Sequence, residues 1–344
     1  MAKYTAIGGQ ALIEGILMRS PEKTALAVRT PDKSIDITYL ESKSLRERFK
    51  ILRVPIIRGV IAFAESMIQG YKAMMLSAEK SGYTDVEDEE EKKEKTEEEK
   101  AKDKEKMSKI IGAVGVVGAV LGVVLAVVLF MFLPRLAVKG IETLFSTEIT
   151  SKVARSCIEQ FIKLVVLVAY MWAVSLMPDI KRVFMYHGAE HKTIFCYEHG
   201  LELTVENVRR EKRFHPRCGT SFLILMILVS VIVSTLVQII FPGVYSIMWL
   251  WVIAKILMVP FICGLGFEIL RICGKYDNLF TKIVSAPGLW LQRITTKEPE
   301  DEMMEIAIAS LRAVEPEVPD VDRSIDEKEK TDERQDADIE NNDI

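Results

Sequence analysis

Residues 220–241 read TSFLILMILVSVIVSTLVQIIF, and after Pro242-Gly243 residues 244–270 continue VYSIMWLWVIAKILMVPFICGLGFEIL. The first run has 22 residues and no charge. At about 1.5 Å per residue it is long enough to cross a hydrocarbon core ~30 Å thick. The second run is longer and carries only Lys255 and Glu268. Pro242-Gly243 sets a tight turn between them, so the pair reads as a membrane hairpin. The expected fold class follows: a mainly α membrane protein, not an ordinary soluble enzyme.

Two further spans are expected upstream. Residues 110–133 are 24 uncharged residues, and Gly118 and Gly122, four apart, predict close approach of another helix. Residues 164–177 are apolar over only 14 positions, and the span reaches 20 if Ile158 is included and Lys163 snorkels to the interface. Lys255 is expected near mid-membrane with no acidic partner at its depth, so a transport path would rest on a single lysine.

Four spans put both termini on one side. The 178–219 segment carries eight bases (Lys181, Arg182, Lys192, Arg209, Arg210, Lys212, Arg213 and Arg217), against four between the first two spans and none in the Pro-Gly turn. The positive-inside rule then places the termini and 178–219 in the cytoplasm, with two short connections outside. Met1 to Gln10 has neither apolar core nor cleavage site, in keeping with a cytoplasmic N-terminus.

The formal net charge of −4 hides a segregation. Residues 85–107 hold 19 charges in 23 positions and a net of −5; residues 315–344 hold a net of −9, which leaves +10 on the remainder. The 85–107 run is a charged linker, and 313–344 an acidic, disordered tail. Basic residues lie beside apolar segments and the tails are acidic, which argues against a nucleic-acid binder. Five cysteines in 344 residues do not make a disulfide scaffold.

The remaining segments are expected to build a small cytoplasmic α+β region from 1–84, 178–219 and 271–312. Thr24 to Arg29 and Ile35 to Leu40 have strand character around Thr30-Pro-Asp-Lys-Ser34, a hairpin pattern. Residues 55–78 have helical periodicity. Arg271 to Arg293 reads as an interfacial segment and Glu298 to Arg312 as a short amphipathic helix. Gly8-Gly9-Gln10 with Glu14-Gly15 lacks P-loop spacing; the glycines suit a tight turn or a close approach, and Glu14 is either a metal ligand, a partner for an arginine of the 178–219 segment, or a surface carboxylate.

All four histidines fall in one 29-residue window, His187 to His215. His187-Gly-Ala-Glu190-His191 places two imidazoles four apart on one helix face, with a glutamate beside the second. This is the H-x-x-E-H pattern in which two histidines chelate zinc and the carboxylate is general base toward a water of lowered pKa. A third ligand would come from His215 or Cys218. A rival reading pairs Cys196-x2-His199 with His215-x2-Cys218 in a closed structural zinc site, and a third has no metal, only a satisfied polar network.

The stretches GGQALIEGILMR (8–19), YHGAEHKTIFCYE (186–198), LTVENV (203–208) and HPRCGTSF (215–222) resemble the YqhQ family of bacterial multi-pass membrane proteins, a domain of unknown function. The resemblance covers roughly residues 5–312. It implies an inner-membrane protein, sometimes labelled a predicted metal-dependent enzyme, without a settled substrate. His187, Glu190, His191, His215 and Cys218 match its blocks HGAEHK and HPRCGTSF, whereas Cys196 and His199 do not belong to them. The sequence thus predicts a multi-pass membrane protein with a divalent metal, zinc by ligand type, held by His187, His191 and His215 or Cys218, and with Glu190 as base of a hydrolase-like reaction. Its surroundings would be the lipid bilayer and other membrane proteins. The alternatives are a non-catalytic scaffold or membrane-protein biogenesis partner, and a transporter.

Overall fold

The computed structural model describes residues 7–41, 49–83, 117–118, 120–146, 148–215, 218–276 and 278–315. The charged run 85–107 and the tail from residue 316 lie outside them, as do residues 110–116 of the first expected span.

Four strands, β1 (Gly8–Leu12), β2 (Gly15–Arg19), β3 (Thr24–Arg29) and β4 (Ile35–Leu40), form an antiparallel meander in chain order. The β3–β4 hairpin has the expected bounds and pairs Arg29 with Ile35 at its turn. β1 and β2 were not foreseen. β2 is buried on both faces, so GILM reads as an apolar run without alternation, and β1 opens on two exposed glycines with little strand character. Side chains still alternate by face. Ile16, Met18, Ala25 and Ala27 point into one core with Tyr186, Ala189, Met303, Ile306 and Leu311, while Leu12, Leu17, Leu26 and Val28 point into a second with Ala73.

The sheet is therefore the middle of three layers. Helix α1 (Ile57–Lys80) covers one face. Helices α4 (Pro178–Glu198) and α10 (Asp301–Val314) cover the other. Burying a face of two strands plus two helices supplies the hydrophobic stabilisation a sheet of five- and six-residue strands needs, at about 25 cal/mol per Å² of apolar area.

Four helices are long and apolar enough to cross a membrane: α2 (Val120–Leu144, with a π-helical turn at Val128–Phe132), α3 (Lys152–Val174), α6 (Gly219–Ile240) and α8 (Met248–Lys275). α2 runs eleven residues past the expected end at Leu133. A Cβ at Gly118 or Gly122 would meet nothing within 4 Å, so no described helix uses that pair as a contact. α3 starts well before Leu164 because its polar residues face inward: Ser156, Glu159 and Gln160 are all buried. Snorkelling is not what extends it. A short helix α7 (Pro242–Ser246) occupies the turn between α6 and α8.

The segment 178–219, read as a basic loop, is largely helical: α4 followed by α5 (Val205–Arg210). Gly200, at φ 70°, ends α4, with the Leu201 N–H returning to the Cys196 carbonyl. Helix α9 (Leu279–Thr295) packs on α6 and keeps Leu279, Phe280, Ile283 and Trp290 exposed, an apolar outer face suited to an interface. α1 is tied to α8 where Gly59 meets Gly264 and where Arg58 holds the Glu268 carboxylate (Nε–Oε1 2.6 Å).

Candidate metal centre

α4 lies with one face on the sheet and the next on the ends of α6 and α9. Its register puts His187 and His191 on the second face and Glu190 toward β1. Gly188 is where the chain 295–299 crosses the helix: a Cβ there would sit 2.0 Å from the Lys297 carbonyl oxygen. The Lys297 N–H in turn donates to the Phe184 carbonyl at 2.8 Å. The glycine in HGAEH is thus a packing requirement, and the crossing it permits carries a functional group.

That group is the Thr295 carbonyl, 2.8 Å from His187 Nδ1. On the neighbouring turn the Arg213 carbonyl lies 2.6 Å from His191 Nδ1. Each Nδ1–H donates to a backbone oxygen, which fixes the tautomer and leaves each Nε2 with a lone pair. Both Nε2 atoms face Cys218: His187 Nε2 is 3.1 Å from its Sγ, and His191 bonds to the same thiol. The two rings are 4.4 Å apart, edge to face. Burial, with His187 beside it, holds His191 below the ordinary histidine range, so the ring is neutral at pH 7.

Among the described residues, His187, His191 and Cys218 are the one group of three His, Cys, Asp or Glu side chains whose ligand atoms converge, all within 4.8 Å of one another. His215 is not part of that group, although its ring centroid is 5.6 Å from that of His191. Its ring packs 4.7 Å from Phe195, its Nε2 is 3.6 Å from Glu198 Oε2, and both side chains are buried. The third donor beside the histidine pair is therefore Cys218, three residues on from His215. The paired-ligand alternative does not assemble either. Cys196 sits in the sheet core against the Leu201 and Glu202 carbonyls, its thiol pushed up to about 11 by burial, and His199 turns outward to Glu211 at 2.9 Å.

Glu190 is 4% exposed. β1 is an edge strand, so alternate N–H groups point away from β2. Those of Gly9 and Ala11 bond to the Glu190 carboxylate. Gly9 makes the approach possible, since a Cβ there would fall 2.9 Å from the Glu190 carboxyl. The other oxygen, Oε2, is buried and has no hydrogen-bond partner. Burial pushes the carboxyl up to about 7, with Cys218 adding to the rise and His187 and the two N–H groups opposing it. Two imidazole lone pairs and a thiol form a donor set that fits a divalent cation, and the orphaned Glu190 oxygen stands outside that set.

Glu14, at φ 50° in the β1–β2 turn, faces α4. It holds Arg182 (Nη2–Oε2 2.7 Å) and accepts from the Tyr186 hydroxyl at 3.0 Å. Burial pushes its carboxyl up, but Arg182, Tyr186 and Arg29 outweigh this and leave it below the usual range. Of the readings open for Glu14, the arginine partner is the one realised. Sequence reasoning missed Gln292. Its fully buried amide accepts from the His215 N–H and donates to the His215 carbonyl, both at 2.8 Å, and so clamps the segment that delivers Cys218. No spacing pattern could have linked residues 77 positions apart.

The family whose residues these are is shown by comparison. A protein family described as "Protein of unknown function (DUF1385)" matches residues 54–317. The chain belongs to that family. It is 37% identical over 306 residues to "Uncharacterized protein YqhQ" of Bacillus subtilis (strain 168), covering 89% of this chain and 91% of that one. This confirms the resemblance read from HGAEHK and HPRCGTSF. No solved structure matches.

Proposed function

We propose that the chain is a multi-pass inner-membrane protein with both termini cytoplasmic, and that His187, His191 and Cys218 hold a divalent cation, zinc by ligand type, at the membrane face of its sheet region. The observation that carries this is the paired anchoring of both histidines by backbone carbonyls, with each Nε2 turned to one thiol. Three protein donors leave a coordination position open, the pattern of catalytic rather than structural sites. The reaction class that fits is hydrolysis. A divalent ion there supplies Lewis-acid polarisation of the bond to be cleaved. Glu190 Oε2 takes the proton of the attacking water and returns it to the leaving group. The Gly9 and Ala11 N–H groups keep the carboxylate aimed while it does so. His187, the least buried of the three ligand residues, marks the open side. A site between the apolar bundle and the sheet suits a lipid, a lipid-linked molecule or a membrane-protein segment.

The contact of 3.1 Å between His187 Nε2 and Cys218 Sγ favours one second reading, a cysteine–histidine nucleophile without metal. Elemental analysis of full-length protein purified without chelators separates the two. About one zinc per chain, lost in His191→Ala and kept in Cys218→His and Glu190→Gln, supports the metal site; absence of metal from stable wild-type protein sinks it. Catalysis is tested apart from binding. Glu190→Gln should keep metal and abundance yet fail to complement a deletion. Full complementation by that variant would leave a scaffold held together by a metal-bound loop.

A further inference from the structure

Helix α1 begins well inside the length of α8. A Cβ on Gly59 would meet Gly264 and Phe267, and one on Gly264 would meet Ile56. Gly264 lies nine residues, about 14 Å, from the end of the apolar stretch Trp249–Cys273. Gly266, two residues nearer that end, rests on Phe222 and Met226, the first turn of the apolar stretch in α6. The Phe63 ring is 5.6 Å from that of Phe222. α1 therefore starts below the level at which the apolar stretch of α6 begins, passes that level near Phe63, and reaches the sheet at Gly70, which meets Gln10 of β1.

The chain around this tip has the chemistry of a turn that does without water. From Val54 to Ala64 the one charge is Arg58, and the Glu268 carboxylate holds it (Nε–Oε1 2.6 Å). The first N–H groups of a helix have no partner within the helix, and in hydrocarbon each of them needs one from the protein. Here all have one. Pro55 carries no N–H. Ile56 donates to the Glu268 carboxylate. Ile57 and Arg58 donate to the Pro55 and Val54 carbonyls at 2.9 Å, and Gly59 and Val60 both donate to that of Ile56 at 3.0 Å. This closure comes with a φ of 70° at Ile56, a strained value for a β-branched residue. Outward, Val54, Ile57, Ala64, Met67 and Ile68 are exposed, an apolar stripe along the start of α1. The surface it joins is apolar too. Leu257 and Phe261 share a helix face with Gly264 and Glu268, lie deeper along α8, and are exposed. The tip thus sits on the outer side of α8 rather than inside the bundle.

We propose that residues 54–64 form a re-entrant element: the Pro55-Ile56 turn and the first two turns of α1 dip into the leaflet on the sheet side and contact its acyl chains without crossing. This rests on the reading of α6 and α8 as membrane spans. The element adds a fifth contact with the bilayer to the four long helices and sets the depth at which the sheet region is anchored.

Spin labelling of the full-length protein in phosphatidylglycerol–phosphatidylethanolamine liposomes tests this. Cys157 and Cys273 are changed to serine, and the buried Cys196, Cys218 and Cys263 stay; this parent chain gives the label background. Val54→Cys and Ile57→Cys then report on the tip independently. Ile232→Cys, exposed in the middle of α6, is the hydrocarbon reference, and Glu79→Cys, exposed at the sheet end of α1, the aqueous one. Oxygen concentrates in hydrocarbon, and a charged nickel chelate stays in water. Val54→Cys and Ile57→Cys should show an oxygen-to-nickel collision ratio at least fivefold above that of Glu79→Cys, as Ile232→Cys does. A ratio within twofold of Glu79→Cys at either tip position, with Ile232→Cys still reading hydrocarbon, overturns the proposal and leaves the spans standing. Weak collision with both reagents at the tip places protein over it and overturns the proposal as well. A water-like ratio at Ile232→Cys removes the spans themselves, and the re-entrant element with them.

Discussion

At the scale of single residues, the candidate site depends on backbone atoms as much as on side chains. Gly188→Ala would push a methyl group against the Lys297 carbonyl, which belongs to the main chain and cannot swing away. The expected cost is about 3 kcal/mol, at the upper end for overpacking. Because Thr295 lies two residues before Lys297, the displacement also draws its carbonyl off His187 Nδ1. The variant should melt earlier and hold less zinc per folded chain than wild type, measured by thermal denaturation and elemental analysis of the same preparation. Unchanged values for both would show that the crossing does not position His187. His187, Glu190 and His191 were legible in the sequence because a helix turns spacing of three and four into proximity. The choice between His215 and Cys218 was not, since it depends on which way a short segment is held by Gln292. Thr295 and Arg213 were invisible because they act through carbonyl groups that every residue has.

Among the elements, α1 and the residue before it approach α8 closely. A Cβ on Gly264 would lie 2.5 Å from the Ile56 carbonyl oxygen, and one on Gly59 2.9 Å from the Gly264 carbonyl oxygen. Gly264→Leu should separate the two helices and strand the Arg58–Glu268 pair in an apolar setting, costing about 3 kcal/mol or more. Limited proteolysis should then cut within 49–56, a segment that stays intact in wild type; resistance equal to wild type would mean that α1 is held by the sheet alone. Periodicity made α1, α10, the β3–β4 hairpin and the third and fourth spans readable to within a few residues. It failed for β2, where burial on both faces erases alternation, and for β1, which opens on exposed Gly8 and Gly9. It also failed at the start of α3, where polar side chains point inward and break the apolar run that a hydropathy reading needs.

Over the whole molecule, the His/Cys cluster lies where the three-layer region meets the end of α9 and the start of α6. The orientation proposed from the eight bases of 178–219 is open to a direct check. In a chain without its native cysteines, Glu206→Cys on the exposed face of α5 should react with an impermeant maleimide only after the cells are opened. Ready labelling of intact cells would reverse the topology. The layered arrangement also has a consequence for biosynthesis. The sheet is made before every described helix, but the helix that seals one of its faces, α10, is the last described element, some 270 residues after β3. At roughly 5–20 residues per second, the ribosome needs on the order of 15–50 s to deliver it. Through that interval Ile16, Met18, Ala25 and Ala27 have no α10 to cover them, while four apolar helices are being synthesised behind them. A nascent chain in this state presents an uncovered sheet face that a holdase would bind, and a chain truncated before residue 301 would never close it.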